Sequence, residues 1–375
     1  STLSGTSREA ARAAVQSAEA PSSARMLAWR LHGYGGLDEL RLEEARLPAL
    51  RAPDELLVRV HTASLNPLDV AMIGGYGARL LNILRSLDGS EGVEFPLIPG
   101  RDFAGTVERA GPSARLRRGD FVWGVVPPHR PGSHAQYITV GLAPGTLSAA
   151  SAGGALYAAL TATALLRAAG VPAGGRASPG ERVLVLGLGG VGAAALQLLA
   201  HRGTHAVVGC AAELHERARV LGAADALDRH APEYERELVD RGPYEAVLDC
   251  AGLGGEEAAK HAWRFRRYVT LTTPLLRQVQ DRGAALGGAS AAAQLAAQAA
   301  RALRSQPAGC PPPHVRWAYF APCASDVALL CALAERGAFA VPVERVYPWR
   351  DASSAYSRAA SGHARGKLLL DFTSQ

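Results

Sequence analysis

The run Val183-Leu184-Val185-Leu186-Gly187-Leu188-Gly189-Gly190-Val191-Gly192 leaves the chain little choice of local structure. A short apolar run bounded by glycine reads as a buried strand, and the apolar residues from Val191 to Ala200 read as a helix. The whole stretch Val183–Ala200 holds no charge over 18 residues. A membrane helix also needs about 20 apolar residues, but four glycines between 187 and 192 argue against that reading. Gly187, Gly189 and Gly192 satisfy G-x-G-x-x-G in the strand–turn–helix setting that the pattern requires. The first glycine permits the tight turn, the second lets the backbone approach a pyrophosphate, and the third lets helix and sheet pack closely. The helix N-terminus then offers N–H groups and the positive end of its dipole to phosphates. The expectation is a dinucleotide site.

The next strand decides which dinucleotide. An NAD site places Asp or Glu there, about 20 residues on, for the ribose hydroxyls. Here the strand ends Val208-Gly209-Cys210-Ala211-Ala212, and Glu213 comes only in the following helix. The small residues leave room for a 2′-phosphate, with Arg217 or Arg229 available to neutralise it. NADPH is therefore expected over NADH.

The surrounding sequence falls into two textures. Up to about residue 145, short strand candidates such as Leu56–Val60 and Gly105–Glu108 are separated by Pro and Gly. Residues 151–169 are Ala/Leu-rich and helical. Strands and helices then alternate: Val183–Leu186, His205–Gly209, a helix around Glu213–Leu221, Ala246–Asp249, a helix around Gly255–Phe265, and Tyr268–Thr272. Alternation of this kind implies a parallel, doubly wound sheet. Ala289–Arg304 reads as a covering helix, and the last forty residues return to short strands such as Lys367–Asp371. At 375 residues two domains are expected: a β-rich one from 26–150 and 338–375, and a Rossmann domain over 151–337. Residues 1–25, rich in Ser, Ala and Arg with only Glu9 and Glu19 as acids, fit either a transit-peptide remnant or a disordered tail.

Composition narrows the chemistry. Of 40 basic residues only Lys260 and Lys367 are lysines, so Schiff-base chemistry has two candidates at most. The net charge of +6 is spread. Its denser groups, Arg115–Arg118 and Arg264–Arg267, read as solvated faces, and no nucleic-acid partner is expected. The five cysteines form no C-x-x-C pair, which gives no structural-zinc spacing.

Further motifs carry a resemblance. Asn66-Pro67-Leu68-Asp69, Pro99–Gly105 (PGRDFAG), Tyr157–Ala162 (YAALTA), Leu248–Gly252 (LDCAG) and Gly362–Lys367 (GHARGK) resemble segments of the zinc-free quinone oxidoreductases of the medium-chain dehydrogenase/reductase superfamily. The resemblance runs in order from about Met26 to the C-terminus. It implies an α/β protein in which a GroES-like β-rich catalytic domain joins the doubly wound Rossmann domain. It also implies cofactor contacts at Thr161, Gly187, Gly189, Gly190, Val191, Gly192, Ala211, Arg229, Tyr319, His363, Ala364, Arg365 and Lys367. Two departures weaken the NADPH contacts. The usual G-A-S-G-G-V-G loop is G-L-G-G-V-G here, and Ala211 and Arg229 replace a Ser and a Tyr. Where the superfamily's zinc enzymes have the His of G-H-E this chain has Arg101, and no Cys precedes residue 210. No catalytic zinc is expected.

Without a metal, a quinone or an α,β-unsaturated carbonyl is the fitting acceptor, because it is already electrophilic and needs only hydrogen-bond help at its oxygen. Asn66 and Tyr76 rank first for that help, ahead of Tyr157. Asp69 reads as a helix cap, Lys367 as a residue reaching a cofactor phosphate, and His129, His134 and His314 as surface or satisfied. The resemblance implies an oxidoreductase in the mitochondrial matrix, with the cytoplasm as the alternative compartment, linked to ubiquinone metabolism. A non-catalytic NADPH-binding scaffold of the same fold is the other reading. No transmembrane segment is expected; a homodimer and mitochondrial protein partners stay open.

Overall fold

The computed structural model describes residues 24–87, 94–141, 156–305, 312–362 and 364–374. Residues 1–23 of the expected tail, and His363, lie outside them. Along the chain the strands are β1 (Arg25–Arg30), β2 (Arg41–Arg46), β3 (Leu56–Leu65), β4 (Asp102–Ala110), β5 (Phe121–Val125), β6 (Tyr137–Val140), β7 (Arg182–Leu186), β8 (His205–Cys210), β9 (Asp225–Asp228), β10 (Tyr244–Asp249), β11 (Phe265–Thr270), β12 (His314–Trp317), β13 (Val343–Pro348) and β14 (Lys367–Asp371). The chain divides into two compact units, residues 1–157 with 343–375, and residues 158–342. The divisions drawn from composition, after 150 and after 337, come a few residues earlier. Leu156 and Tyr157, of the helix Leu156–Ala168, go with the β-rich unit, where the Tyr157 N–H donates to the Asp102 carboxylate.

In the β-rich unit β3 is the axis. It is ten residues long, and Leu56–Ala63 pair with β4 along one edge. The other edge is shared by β6, opposite Leu56–Arg59, and β14, opposite Thr62–Leu65. The strand order is β13-β14-β3-β4-β5. β14 comes from the far end of the chain, so the sheet is complete only once both ends have met. Two apolar clusters support it. One gathers Leu56, Val58, Phe103, Val122 and Ile138; the other joins Trp29, Leu31, Met72, Trp349, Tyr356 and Leu368. Trp349 ties the second together: its carbonyl accepts the Trp29 indole N–H at 2.8 Å, and its ring stacks on Phe372.

The second unit is a six-stranded parallel sheet of order β12-β11-β10-β7-β8-β9. Strand order reverses between β7 and β10, which is the switch point where doubly wound sheets bind ligands. β7 and β8 are almost wholly buried, as befits parallel strands covered on both faces. The helix Gly190–Arg202 is apolar all round because it too is buried, and the left-handed Gly203 closes it. Thirteen residues are far too few to span a bilayer, and no described helix is long and apolar enough to cross a membrane.

One expected helix is absent. Between β10 and β11 only the single 3-10 turn Glu257–Ala259 forms, not a helix over 255–265. Trp263 is drawn into the core and donates its indole N–H to Glu235. His261 stacks on it, held between Glu235 and Glu257. These anchors override the segment's helical pattern.

Trp349→Ala is expected to lower unfolding free energy by about 3–5 kcal/mol, read as a reduced urea midpoint at unchanged slope.

Candidate active site

The glycine turn is built as its spacing requires. Gly187 sits at φ +90° and donates its N–H to Gly209 O at 2.9 Å. A Cβ on Gly192 would stand 2.1 Å from the Gly187 carbonyl oxygen, whereas one on Gly189 would meet nothing within 4 Å. Gly189 caps the helix without a side chain, and the first intrahelical bond runs from Ala193 N to Gly189 O. The N–H groups of Gly190, Val191 and Gly192 therefore precede any intrahelical acceptor. Unserved backbone donors at the positive end of a helix, with space beside Gly189, fit a pyrophosphate.

Other expected cofactor residues collect beyond the C-terminal ends of the same parallel strands. Ala211 follows β8, and Arg229 follows β9. Arg229 N donates to Cys210 O at 2.9 Å, so Arg229 and Ala211 are neighbours across two strand ends. Arg229 is exposed; Arg217 is half-buried on the next helix, His215–Val220. Tyr319 follows β12, its hydroxyl 3.3 Å from Thr273 Oγ1. Thr161 is buried in the helix Leu156–Ala168. Burial pushes the Cys210 thiol up to about 11 and the Cys250 thiol higher still, which leaves both as poor nucleophiles.

A polar cluster lies inside the β-rich unit where β3, β4 and β14 begin or end. Register explains it: Leu368 faces Leu65 and Leu369 faces Ser64, so Lys367 arrives beside Asn66. Pro67 opens the helix Pro67–Ile73, and Asp69 accepts the Asn66 N–H at 2.8 Å, the cap expected of it. Asp69 also accepts from Gly100 N at 3.0 Å and pairs with Arg101 at 3.5 Å. Arg101 is fully buried, with its other nitrogens on the carbonyls of Pro127 and Ile98. Desolvation pushes its pKa down, and Asp69 opposes that.

The adjacent Asp102 holds a second buried pair. Its Oδ2 accepts from Ser64 Oγ, from Asn66 Nδ2 at 3.0 Å and from Lys367 Nζ at 3.0 Å; its Oδ1 accepts from Tyr157 N. Lys367 also donates to Ser64 Oγ and Asn66 Oδ1.

All three ammonium donors of Lys367 end on Ser64, Asn66 and Asp102 at a buried site, so the structure places Lys367 in this cluster and not at the expected cofactor phosphate. Asn66 belongs to it too: its amide oxygen accepts from Lys367 and its NH2 donates to Asp102. Ala364 and Arg365 remain in the loop before β14, where Arg365 N donates to Glu344.

Tyr76 is 39% exposed, whereas Tyr157 is half-buried. Burial first, then the Asp69 and Asp102 carboxylates, pushes the Tyr157 pKa well up. Its hydroxyl stays protonated through the physiological range and can donate. His134 is a satisfied core residue: Nε2 lies 3.1 Å from Ser64 O and Nδ1 lies 2.8 Å from Tyr356 Oη. A carbonyl can only accept, so Nε2 carries the proton and Nδ1 accepts from tyrosine. Burial lowers the His134 pKa. No group of His, Cys, Asp and Glu able to hold a metal ion occurs among the described residues.

Comparison with known proteins matches both units. Residues 52–170 match the alcohol dehydrogenase GroES-like domain, and residues 221–370 match the zinc-binding dehydrogenase family. A quinone oxidoreductase from Coxiella burnetii superposes with TM-score 0.69 at 22% identity, covering 93% of this chain and 99% of that one; it shows the fold. The two domains are those of the medium-chain dehydrogenase/reductases. The mitochondrial NAD(P)H oxidoreductase RTN4IP1 of Drosophila melanogaster is 36% identical, over 93% of this chain and 87% of its own length. Its human counterpart is 33% identical over 95% and 91%. An NADPH-dependent alkenal/one oxidoreductase of Arabidopsis thaliana is 32% identical over 72% and 68%. The chain belongs to the RTN4IP1 family of the medium-chain dehydrogenase/reductase superfamily and is an oxidoreductase. Like those relatives it is mitochondrial.

Gly192→Ala is expected to destabilise the second unit by about 1–3 kcal/mol and to weaken dinucleotide binding, measured by calorimetry. His134 is neutral when folded and gains its proton on unfolding near the ordinary value of 6.5. The unfolded chain then binds more protons, so stability falls as pH drops below about 6.5. Urea midpoints between about pH 7.5 and 5.5 read this, and His134→Gln flattens the profile.

Proposed function

We propose that the protein is an NADPH-dependent reductase that delivers hydride to a quinone or an α,β-unsaturated carbonyl without a metal. A nicotinamide cofactor follows from the family. The observation that supports the finer reading is the pairing of Ala211 and Arg229 at the ends of β8 and β9. No carboxylate follows β8 directly, and a guanidinium is supplied from the neighbouring strand end. The backbone of Gly189–Gly192 would hold the pyrophosphate, with Arg229 and Arg217 on the 2′-phosphate. The bound cofactor supplies the hydride.

The chain's own contribution lies in the β-rich unit. Hydride arriving at a quinone or enone carbon places negative charge on the carbonyl oxygen. Tyr157 keeps its hydroxyl proton and donates to that oxygen, and the low-dielectric setting strengthens the bond. Arg101, buried and paired with Asp69, puts a fixed positive charge where the superfamily's zinc enzymes have a ligand. A guanidinium there repels a cation, which supports the metal-free reading. Names of relatives agree with the acceptor class: an alkenal/one oxidoreductase and a chloroplastic quinone-oxidoreductase homologue. In a mitochondrial protein the quinone reading extends to ubiquinone metabolism.

The test is NADPH oxidation with a short-chain quinone and with an enone. NADPH is expected to bind at least about tenfold tighter than NADH, ~1.4 kcal/mol, and Arg229→Ala to erase the difference. Tyr157→Phe is expected to lower kcat about 100-fold. Tight NADPH binding with no turnover of any acceptor would leave only a dinucleotide-binding scaffold.

A further inference from the structure

We propose that Asp102 and Lys367 form a positioning pair for Tyr157: Lys367 orients the Asn66 amide and neutralises Asp102, and Asp102 holds the first turn of the helix that presents the Tyr157 hydroxyl. The proposal rests on Tyr157 as the hydrogen-bond donor to the acceptor, as read above.

The geometry leaves little freedom. An ammonium has three donors and no acceptor. Those of Lys367 meet Ser64 Oγ at 3.0 Å, Asn66 Oδ1 at 2.5 Å and Asp102 Oδ2 at 3.0 Å. Asn66 must therefore turn its oxygen to Lys367, and its NH2 is left to face Asp102, where it is found at 3.0 Å. Three donors crowd onto Asp102 Oδ2, so Oδ1 is the oxygen left for the Tyr157 N–H. That bond ties the Tyr157 backbone, in the helix Leu156–Ala168, to the Asp102 carboxylate.

A chain of charge-assisted hydrogen bonds thus runs from β14 through β4 to the backbone of Tyr157. Stability alone does not require it, since apolar residues of similar volume often replace a buried ion pair without loss. They would not hold the Tyr157 N–H. Displacement of a reacting group by about 1 Å can cost on the order of 100-fold in rate.

The experiment uses the full chain with NADPH and a short-chain quinone. Asp102→Leu/Lys367→Met removes both charges together and so keeps the unit folded; Asp102→Asn/Lys367→Met is the conservative variant. The double variant is expected to lose about 10- to 100-fold in kcat, with quinone KM and NADPH Kd within about twofold. Asp102→Asn/Lys367→Met keeps an oxygen for the Tyr157 N–H, its NH2 left to donate to Ser64 Oγ and Asn66 Oδ1, and recovers part of the rate. Adding Tyr157→Phe to the double variant brings the loss to that of Tyr157→Phe alone and no further, because both act through one hydroxyl. Hydrogen exchange at the Tyr157 amide accelerates in the double variant, a readout that needs no turnover. Unchanged kcat, losses that multiply in full, or unchanged exchange at Tyr157 would each overturn the pair. A different pattern sinks the functional reading itself: wild-type kcat in Tyr157→Phe alone, whatever the amide shows.

Discussion

Among the buried charges of the β-rich unit, Asp69, Arg101, Asp102 and Lys367 stand together in two pairs. An isolated ion at such depth costs several kcal/mol in lost hydration, so each needs its partner in place. Asp69 answers Arg101, and Asp102 answers Lys367. The partners come from different parts of the chain, the helix after β3, the start of β4 and the start of β14. Meeting that requirement brings β14 into register on β3, seats the helix Pro67–Ile73, and draws the first turn of the helix Leu156–Ala168 onto Asp102.

The second unit works by the opposite device. Its candidate cofactor cradle depends on what is missing: no Cβ at Gly189, no side-chain cap on the helix, no carboxylate following β8. Backbone donors and an exposed arginine are left to meet an anion. The β-rich cluster holds its polar groups in closed pairs, whereas the candidate cradle keeps its backbone donors open for a ligand.

Much of this was legible in advance where the information is local. The glycine turn, the strands β7 and β8, the alternation that follows and the cap at Asp69 all depend on residues a few positions apart. Misreadings occurred where distant residues decide. The segment 255–265 has a helical pattern, yet His261 and Trp263 are held by Glu235 from an earlier helix. Lys367 follows a glycine in a cofactor-side motif, and its motif pointed outward to a phosphate. Nothing near it in sequence announces Asp102, 265 residues away. The bonds that tie Asn66 to Lys367 and Asp102, and Tyr157 to Asp102, likewise exist only once the sheet has closed.

The sequence by itself determined the class of fold, the place of the glycine turn and the absence of a carboxylate where an NAD site would have one. Each is a property of residue type and short spacing, which the backbone obeys wherever it sits. Only the tertiary structure decided which polar side chains remain available. Hydrogen-bonding capacity is finite, and whether Lys367 or Asn66 has any to spare depends on neighbours that a strand pairing across some 300 residues brings within 3 Å.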